Sequence, residues 1–373
     1  MKQVLFIYRI LPQYRVDFFH QLRAELAKNN VELYLIYGKA NETDALKRDE
    51  VEIEWAKCIS NRRIKLGGTE LLWQPILKYL KNKDMVIIQL ENKVLLNYYL
   101  IFARYFSKYK LAFWGPAKNM REDTESKHNR YRYFLLRKCN WWFAYTDGVK
   151  KLLIEKNYPE SNITVLQNAI DTRGLKKFYS DITANEINSL KDQLGITGNK
   201  TGIFCGAMYP GKNLDFILEA CHKIKKEVAD FHMIFIGSGI ESPKVIEASK
   251  AYTWIHYVGT KFGADRVIYF KLSVIQLMPR LIGLAILDSF AMETPIITTN
   301  NPYHGAEFDY LENGINGLIS EDDIDDYSSM VIDVLKNEGY QKLISGCKIS
   351  AEKYTVEAMV ENFKNGILTA LNT

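Results

Sequence analysis

The 373-residue sequence lacks the features that mark several common classes of protein. Its five cysteines are odd in number, form no Cys-x-x-Cys pair and have no histidine at metal-ligand spacing. This argues against a disulfide framework and against structural zinc. No run approaches the ~20 apolar residues that a membrane span needs. The apolar run Val4–Tyr8 has the length of a strand and is too short for a secretory signal. We therefore expect a cytoplasmic protein with no bound metal.

Two nucleotide-binding fingerprints are also absent. No Gly-x-Gly-x-x-Gly follows the first apolar run, which disfavours a nicotinamide-dependent dehydrogenase, and no Gly-x4-Gly-Lys-Ser/Thr occurs, which disfavours a P-loop ATPase. Hydrophobic residues make up 47% of the chain and charged residues 25%, so global disorder is excluded as well.

The net charge of +5 is unevenly distributed. Residues 1–172 carry 29 Lys and Arg against 19 Asp and Glu, whereas residues 173–373 carry 20 against 25. The basic first half favours an anionic partner such as a membrane surface, a nucleic acid or a phosphorylated ligand, although ordinary solubility charge explains it equally well.

Short apolar runs alternate with amphipathic segments along the whole chain, and this occurs in two series. The predicted strands are Val4–Tyr8, Val31–Tyr37, Met85–Leu90, Leu111–Trp114, Trp141–Tyr145, Ile163–Leu166, Gly202–Cys205, His232–Ile236, Ile255–Val258, Val274–Met278 and Pro295–Thr298. Such alternation predicts parallel sheets covered by helices, hence an α/β fold with two Rossmann-like domains whose sheets face one another across a cleft.

The predicted domains are separated by a polar stretch. We assign 1–172 to an N-terminal domain, 173–200 to a linker region and 201–350 to a C-terminal domain. Residues 351–373 are expected to form a C-terminal helix that crosses back to the first domain.

Three polar loops follow strands of the second predicted domain. The first, residues 206–213, holds Gly206, Gly211, Lys212 and Asn213 and precedes a helix near Leu214. Backbone N–H groups at a strand-to-helix turn, together with a lysine, favour diphosphate binding, although a plain turn with a surface lysine is an equally simple interpretation.

The second and third loops add polar groups of other kinds. The second, from Arg280 through Gly283 and Leu284 to Asp288, opens another helix, and its carboxylate could accept hydrogen bonds from ribose hydroxyls. The third holds His304, Gly305 and Glu307 in a loop with Gly and Pro. A lone histidine is more often structural than catalytic, and a helical aspartate is often merely solvated.

These motifs, in this order, resemble those of retaining glycosyltransferases of the GT-B fold, family four (glycosyltransferase group 1). The family's Gly-Arg-x3-5-Lys-Gly turn corresponds to Gly206-Ala207-x4-Lys212-Asn213, and its Gly-Leu-x3-Glu helix start to Gly283-Leu284-x3-Asp288. Three further motifs match, and they are Asn168-Ala169-Ile170-Asp171, Glu307 in its loop, and Gly314-Ile315-Asn316-Gly317-Leu318. The resemblance covers nearly the whole chain, since Pro12-x-Tyr14-Arg15 and the last helix also fit.

The resemblance implies transfer of a sugar from a UDP- or GDP-sugar, with retained anomeric configuration and no other cofactor. It also implies that 1–172 is the acceptor domain and 201–350 the nucleotide-sugar-binding domain. Lys212 would bind the leaving diphosphate and Asp288 the ribose hydroxyls, with Lys212 and Arg280 as the catalytic candidates. The acceptor would be a glycan of cell-surface polysaccharide synthesis, either free or lipid-linked. No general base is identified.

The sequence departs from the family pattern at four positions. Ala207 stands where the family has arginine, Arg280 and Asp288 replace the two glutamates of the Glu-x7-Glu pair, and Pro116 stands where a histidine is common. Loss of one cation beside the gain of another leads to the hypothesis that Arg280 supplies the missing phosphate charge. The rival hypothesis is a weak or inactive enzyme that serves as a binding subunit.

The first domain mixes aromatic and basic residues in two segments, 95–110 and 130–142. Such mixtures suit a lipid headgroup region, but two helices that cover a sheet would look the same. The residues assigned to the acceptor or to the inner face of a membrane are Arg15, Lys118, Arg130, Arg132, Arg137 and Lys138. Nucleic acid explains the charge less well, because no nucleic-acid module is visible. A nucleotide-sugar epimerase, which needs no acceptor, and a donor-binding scaffold remain as alternatives to a transferase.

Overall fold

Two parallel β-sheets covered by helices organise the chain in the computed structural model, which describes residues 1–39, 51–66, 69–120, 122–123 and 125–373. The first unit comprises Met1–Asp171 together with Val356–Thr373, and the second comprises Thr172–Thr355. The predicted α/β fold with two Rossmann-like units is therefore confirmed.

The first unit has a seven-stranded parallel sheet in the order β3-β2-β1-β6-β7-β8-β9 and a separate antiparallel hairpin, β4-β5. Its strands are β1 Lys2–Tyr8, β2 Val31–Gly38, β3 Lys57–Ile59, β4 Arg62–Leu66, β5 Thr69–Trp73, β6 Met85–Gln89, β7 Lys110–Gly115, β8 Trp141–Ala144 and β9 Ile163–Val165. Its helices before the second unit are α1 Val16–Ala27, α2 Leu95–Ala103, α3 Lys127–Leu136 and α4 Asp147–Glu155. The central strands are apolar throughout because helices cover both faces of the sheet.

The second unit has a six-stranded parallel sheet in the order β12-β11-β10-β13-β14-β15. Its strands are β10 Lys200–Cys205, β11 Phe231–Ile236, β12 Ile255–Tyr257, β13 Ile275–Leu277, β14 Ile296–Thr299 and β15 Gly317–Ser320. Its helices are α5 Arg173–Asp181, α6 Ala184–Leu194, α7 Leu214–Glu227, α8 Ser242–Ala251, α9 Gly263–Leu272, α10 Ala285–Ala291, α11 Ile324–Lys336 and α12 Tyr340–Lys353.

Residues 173–200 are not the linker that the sequence predicted, because most of them form α5 and α6. Thr183 and Glu186 form a capping box at the start of α6, and Gly195, with φ of 65°, ends that helix in the left-handed conformation. Leu175 and Leu190 are buried in the second unit's core. The polar outer faces of the two helices hid this burial, since only a narrow apolar stripe of each helix faces the core.

The last helix, α13 Val356–Asn372, belongs to the first unit. The ring of Phe363 stacks on Phe143 of β8 with centroids 4.3 Å apart. Gly366 lies so close to β9 that a Cβ there would be 2.4 Å from Thr164 Oγ1. Close approach of this helix to the sheet therefore depends on the absence of a side chain. No helix in the described ranges combines the length and apolar character that crossing a bilayer requires.

Candidate functional site

The three polar loops predicted in the second domain follow β10, β13 and β14, which lie side by side in the sheet. The carboxyl ends of neighbouring parallel strands meet at one edge, where ligands bind in open α/β sheets. The structure therefore brings together segments that are up to about 100 residues apart in the chain.

The first loop buries the cation of Lys212. The loop tightens into a single 3-10 turn at Pro210–Lys212, and Asn213 then takes a left-handed conformation, with φ of 53°, before α7 starts. Lys212 Nζ donates a hydrogen bond of 2.7 Å to the carbonyl oxygen of Leu281, in the loop after β13, and lies 3.8 Å from Met278 Sδ. A buried ammonium group costs free energy unless it is paired, so its position at the strand edge is specific.

The second contact between loops is made by His304, which is buried and uses both ring nitrogens. Nδ1 accepts from the backbone N–H of Ile282 at 3.1 Å, and Nε2 lies 2.9 Å from the carbonyl oxygen of Thr299. An N–H donor and a C=O acceptor fix the neutral tautomer that carries its proton on Nε2. Burial lowers the pKa of His304 to about 4, with the Thr299 carbonyl opposing this shift and the Lys212 cation adding to it. His304 is therefore a neutral clamp between two loops and has no free nitrogen for proton transfer.

Glu307 is buried beside the glycines of the second and third loops. Its Oε2 atom would lie 3.1 Å from a Cβ at Gly305 and 3.7 Å from a Cβ at Gly283. Gly305 also donates its N–H to the carbonyl oxygen of Ile282. The predicted helix after Gly283 and Leu284 is present as the short α10, which begins at Ala285. The absence of a side chain at Gly305 therefore leaves room for the carboxylate, whereas a Cβ at Gly283 would make an ordinary contact with it.

A Cβ at Gly206 would meet only Phe204 Cζ, at 3.9 Å, whereas Gly211 and Gly237 allow close approaches in the same region. A Cβ at Gly237, just after β11, would be 1.9 Å from the Gly206 carbonyl oxygen, and a Cβ at Gly211 would be 2.6 Å from Leu281 Cδ1. Neither residue touches a charged group in these contacts. Their contribution is to let the loops pack backbone against backbone.

Asp288 is paired with a residue that the sequence analysis missed. Its Oδ2 atom lies 3.0 Å from Nη1 of Arg266 on α9, and the two side chains are only 14% and 21% exposed. Its Oδ1 atom is buried and has no hydrogen-bond partner among the residues that the structure describes. Burial raises the pKa of Asp288, against the opposing effect of Arg266. No local motif marks Arg266, because it reaches Asp288 only through the packing of α9 against the sheet.

The pKa of Cys205, at the end of β10, is affected by three charged neighbours, which are Lys212, Arg266 and Asp288. Burial raises the pKa of the Cys205 thiol to about 11, although both cations lower it. The thiol is therefore not a nucleophile near neutral pH. The same interactions place the two cations and the carboxylate around one strand end.

Arg280 forms an ion pair with Asp322, with Nη2 and Oδ2 2.7 Å apart. Asp322 also accepts hydrogen bonds from Thr299 Oγ1 at 3.0 Å and from Asn301 Nδ2 at 2.8 Å. Partial burial favours a higher pKa for Asp322, but these bonds outweigh it and hold the pKa below its ordinary value. The carboxylate therefore remains ionised and offsets the charge of Arg280, which is one third exposed.

The residues assigned to an acceptor or membrane fall into three groups. Arg130 and Arg137 are exposed, and Lys118, Arg132 and Lys138 are partly buried. Arg15 is 1% exposed and donates to the Ala169 carbonyl oxygen at 3.0 Å and to Asn168 Oδ1 at 2.5 Å. A guanidinium held inside the first unit cannot touch a bilayer, so the membrane contact expected for Arg15 is wrong, whereas its assignment to the acceptor stays a prediction. The residue instead holds the Asn168-Ala169 motif in place.

Comparison with known proteins finds glycosyltransferases. Residues 199–337 match the family model described as "Glycosyl transferases group 1". An uncharacterized glycosyltransferase of Haemophilus influenzae is 25% identical over 216 residues, which are 55% of this chain and 60% of that relative. The match thus spans less than two thirds of the relative.

Solved structures resemble the chain over its full length. A glycosyltransferase from Rickettsia africae has a TM-score of 0.69 and 16% identity, and the alignment covers 100% of this chain and 99% of that one. Alr3699/HepE from Anabaena, solved with UDP, has a TM-score of 0.68 and 13% identity over 99% and 100% of the two chains. The fold is that of GT-B glycosyltransferases, and the resemblance of this divergent sequence to group 1 of those enzymes is confirmed.

Proposed function

We propose that the protein is a retaining glycosyltransferase that moves a sugar from a UDP- or GDP-sugar to a glycan acceptor. The observation that carries this proposal is the meeting of the loops after β10, β13 and β14 around the buried cation of Lys212. The UDP-bound state of the similar Anabaena structure supports UDP as the first nucleotide to test.

Lys212 has the role of binding the leaving diphosphate. Negative charge grows on that group as the bond to the sugar breaks, and a prearranged cation stabilises it most strongly where water is excluded. Lys212 Nζ donates to the carbonyl oxygen of Leu281, and this contact helps to hold the ammonium group at the edge of the sheet.

Asp288 has the role of holding the ribose hydroxyls. Arg266 occupies Oδ2 and leaves Oδ1 as a buried acceptor without a partner among the described residues. Such an atom costs free energy until a donor reaches it, and a hydroxyl of the nucleotide would be that donor.

The transfer step breaks the bond between the anomeric carbon and the diphosphate oxygen, whose electron pair leaves with the diphosphate. The acceptor hydroxyl oxygen forms the new bond on the same face of the sugar, and its proton passes to the departing diphosphate. This route needs no protein nucleophile, which suits a site where His304 is fully bonded and Cys205 is protonated. Glu307 is a donor-site residue in this scheme, close to Gly283 and Gly305.

The acceptor is a glycan of cell-surface polysaccharide synthesis carried on a lipid, and the enzyme works as a peripheral protein on the cytoplasmic face of the membrane. The basic first unit supports this assignment, whereas no recognised nucleic-acid module does. A catalytically weak donor-binding protein is the second candidate, favoured by the ion pair that offsets the charge of Arg280.

A thermal-shift screen against UDP, GDP, CMP and their sugars tests donor binding. Ligand at one hundred times its Kd stabilises the native state by about 2.7 kcal/mol. Selective stabilisation by one nucleotide is expected, and Lys212→Met should abolish it while the exposed Lys226→Met on α7 should not. Equal responses of the two variants would contradict the proposal. Binding without release of free UDP in the presence of lipid-linked glycan acceptors would favour the donor-binding protein.

A further inference from the structure

Two neighbouring helices of the first unit expose a row of aromatic rings to solvent. On α2 and the turn that follows it, Tyr99, Phe102 and Phe106 recur at helical spacing, and Phe102 and Phe106 are 65% and 80% exposed. On α3, Tyr131 and Phe134 repeat the pattern, and Phe134 is 66% exposed. Large rings with this degree of exposure contribute nothing to the core.

Contacts between the helices join these rings into one surface. The rings of Tyr98 and Tyr131 lie 6.4 Å apart and connect the middle of α2 to α3. Near the end of α2, Tyr105 accepts a hydrogen bond from Arg104 and interacts electrostatically with Lys138, whose ammonium group lies 5.0 Å from the Phe134 ring centre. We define the aromatic face as the set Tyr99, Phe102, Tyr105, Phe106, Tyr131 and Phe134.

The two segments that form the aromatic face carry charge of one sign, whereas the acidic residues Glu122, Asp123 and Glu125 lie just before α3. Residues 95–110 and 126–140 contain eight Lys and Arg and no Asp or Glu. Arg104 stacks 4.6 Å from the Tyr105 ring centre, and the exposed Lys108 and Arg130 flank the rings. Phenylalanine and tyrosine rings bordered by cations match the interface of an anionic bilayer, where rings enter the headgroup region and cations meet lipid phosphates.

We propose that the aromatic face docks the protein on an anionic lipid bilayer. The inference deepens the proposed function, on which it rests for its meaning, because a lipid-linked acceptor is presented at such a surface. In this proposal the exposed rings of α2 and α3 contact the bilayer together with Arg130 and Lys138. Arg15 makes no such contact, because it is buried.

A second copy of the chain suits this surface less well. A two-fold symmetric dimer would place the same basic segments against each other, and like charges across an interface oppose association. Nucleic acid would pair with the cations and stack its bases on some of the rings, but no nucleic-acid module is visible in the sequence. A bilayer accommodates both the cations and the phenylalanine rings.

Vesicle sedimentation tests the proposal with the full chain. We compare vesicles of phosphatidylglycerol mixed with phosphatidylcholine, at about 0.1 M salt, with vesicles of phosphatidylcholine alone. Binding is expected only to the anionic vesicles and should fall when salt rises to about 0.5 M, because salt screens the attraction. Phe102→Ala/Phe106→Ala should weaken binding about tenfold or more, since each exposed ring loses its apolar insertion. Arg130→Glu/Lys138→Glu should weaken it at least as much.

Matched controls lie in the second unit. Phe262→Ala removes a ring that is 77% exposed, and Lys226→Glu/Lys250→Glu reverses two exposed charges on α7 and α8. These variants should bind vesicles as the wild type does. Nucleotide-induced thermal shifts report folding and donor binding in every variant. A protein that binds vesicles but shows no nucleotide-induced shift would contradict the proposed function and leave the bilayer proposal standing.

Three results would overturn the proposal. The first is equal binding to neutral and anionic vesicles, and the second is unchanged vesicle binding after Phe102→Ala/Phe106→Ala. The third is a wild-type protein that binds no vesicles and forms a dimer in light scattering, if the same double substitution abolishes that dimer. A single-stranded oligonucleotide bound by the wild type in the absence of any vesicle binding would replace the bilayer by nucleic acid.

Discussion

Replacing Arg266 by methionine should destabilise the second unit strongly, because it leaves the buried carboxylate of Asp288 without its cation. Nη1 and Oδ2 lie 3.0 Å apart, and the side chains are 21% and 14% exposed. Removing one partner of a buried ion pair costs about 3 to 5 kcal/mol, and the remaining exposure places this pair near about 3 kcal/mol. Methionine retains most of the apolar length of the arginine side chain, so the cost reports the charge and its hydrogen bond.

Urea denaturation of four proteins measures this cost. They are the wild type, Arg266→Met, Asp288→Asn and the double variant. Because asparagine carries no charge, Arg266→Met should cost at least about 1 kcal/mol less in the Asp288→Asn background than in the wild type. The m-value should remain constant if only the native pair is affected.

The pH dependence gives the same test a second readout. Loss of Arg266 raises the folded-state pKa of Asp288 further above its unfolded value, so the variant's carboxyl binds its proton more tightly in the native state. Such a group stabilises the fold at low pH, and this stabilisation is lost as pH rises through the folded pKa. The deficit of Arg266→Met should therefore grow as pH rises above about 4, the ordinary pKa of an aspartate. An equal cost of Arg266→Met in both backgrounds, constant with pH, would refute the coupling.

Three further predictions concern other parts of the molecule. Gly366→Ala should lower the free energy of unfolding by about 1 to 3 kcal/mol, because the added carbon clashes with β9. Gly174→Ala in α5 adds a carbon that meets nothing within 4 Å, so it should raise the free energy of unfolding by about 0.5 kcal/mol. Urea denaturation compares the two variants. The folded-state pKa of His304, about 4, lies below its unfolded value. The neutral histidine therefore contributes about 3 kcal/mol to the free energy of unfolding above about pH 6.5, and this contribution is lost as pH falls toward 4. His304→Phe should flatten the decline of the free energy of unfolding in that range, and an unchanged slope would contradict the prediction. Arg280→Ala should weaken nucleotide binding about tenfold in calorimetry, which corresponds to about 1.4 kcal/mol. Asp322→Asn removes the ion pair with Arg280 and should strengthen nucleotide binding. Unchanged affinity in both variants would show that Arg280 is not part of the donor site.

Most of the fold could be predicted because its strands are buried on both faces. All eleven predicted strands are present, each with ends within about two residues of the predicted ones. The missed elements are β3, β15 and the hairpin β4-β5. Of these, β3 has only three residues, two of them exposed, and β4 is rich in charge. Such short or polar strands carry no apolar run to detect.

The candidate site could be predicted only in part. The loops after β10, β13 and β14 follow from chain position, since strand ends in a parallel sheet share an edge. The pairs Arg266–Asp288 and Arg280–Asp322 join residues 22 and 42 positions apart, and only packing brings them together. The role of His304 as a clamp likewise depends on two backbone groups that no motif reveals.

The position of the diphosphate in a crystal structure of the protein with UDP tests the central claim most directly. The account predicts a phosphate oxygen within hydrogen-bond distance of Lys212 Nζ and a ribose hydroxyl at Oδ1 of Asp288. UDP bound elsewhere, with no phosphate oxygen within hydrogen-bond distance of Lys212 Nζ, would contradict it.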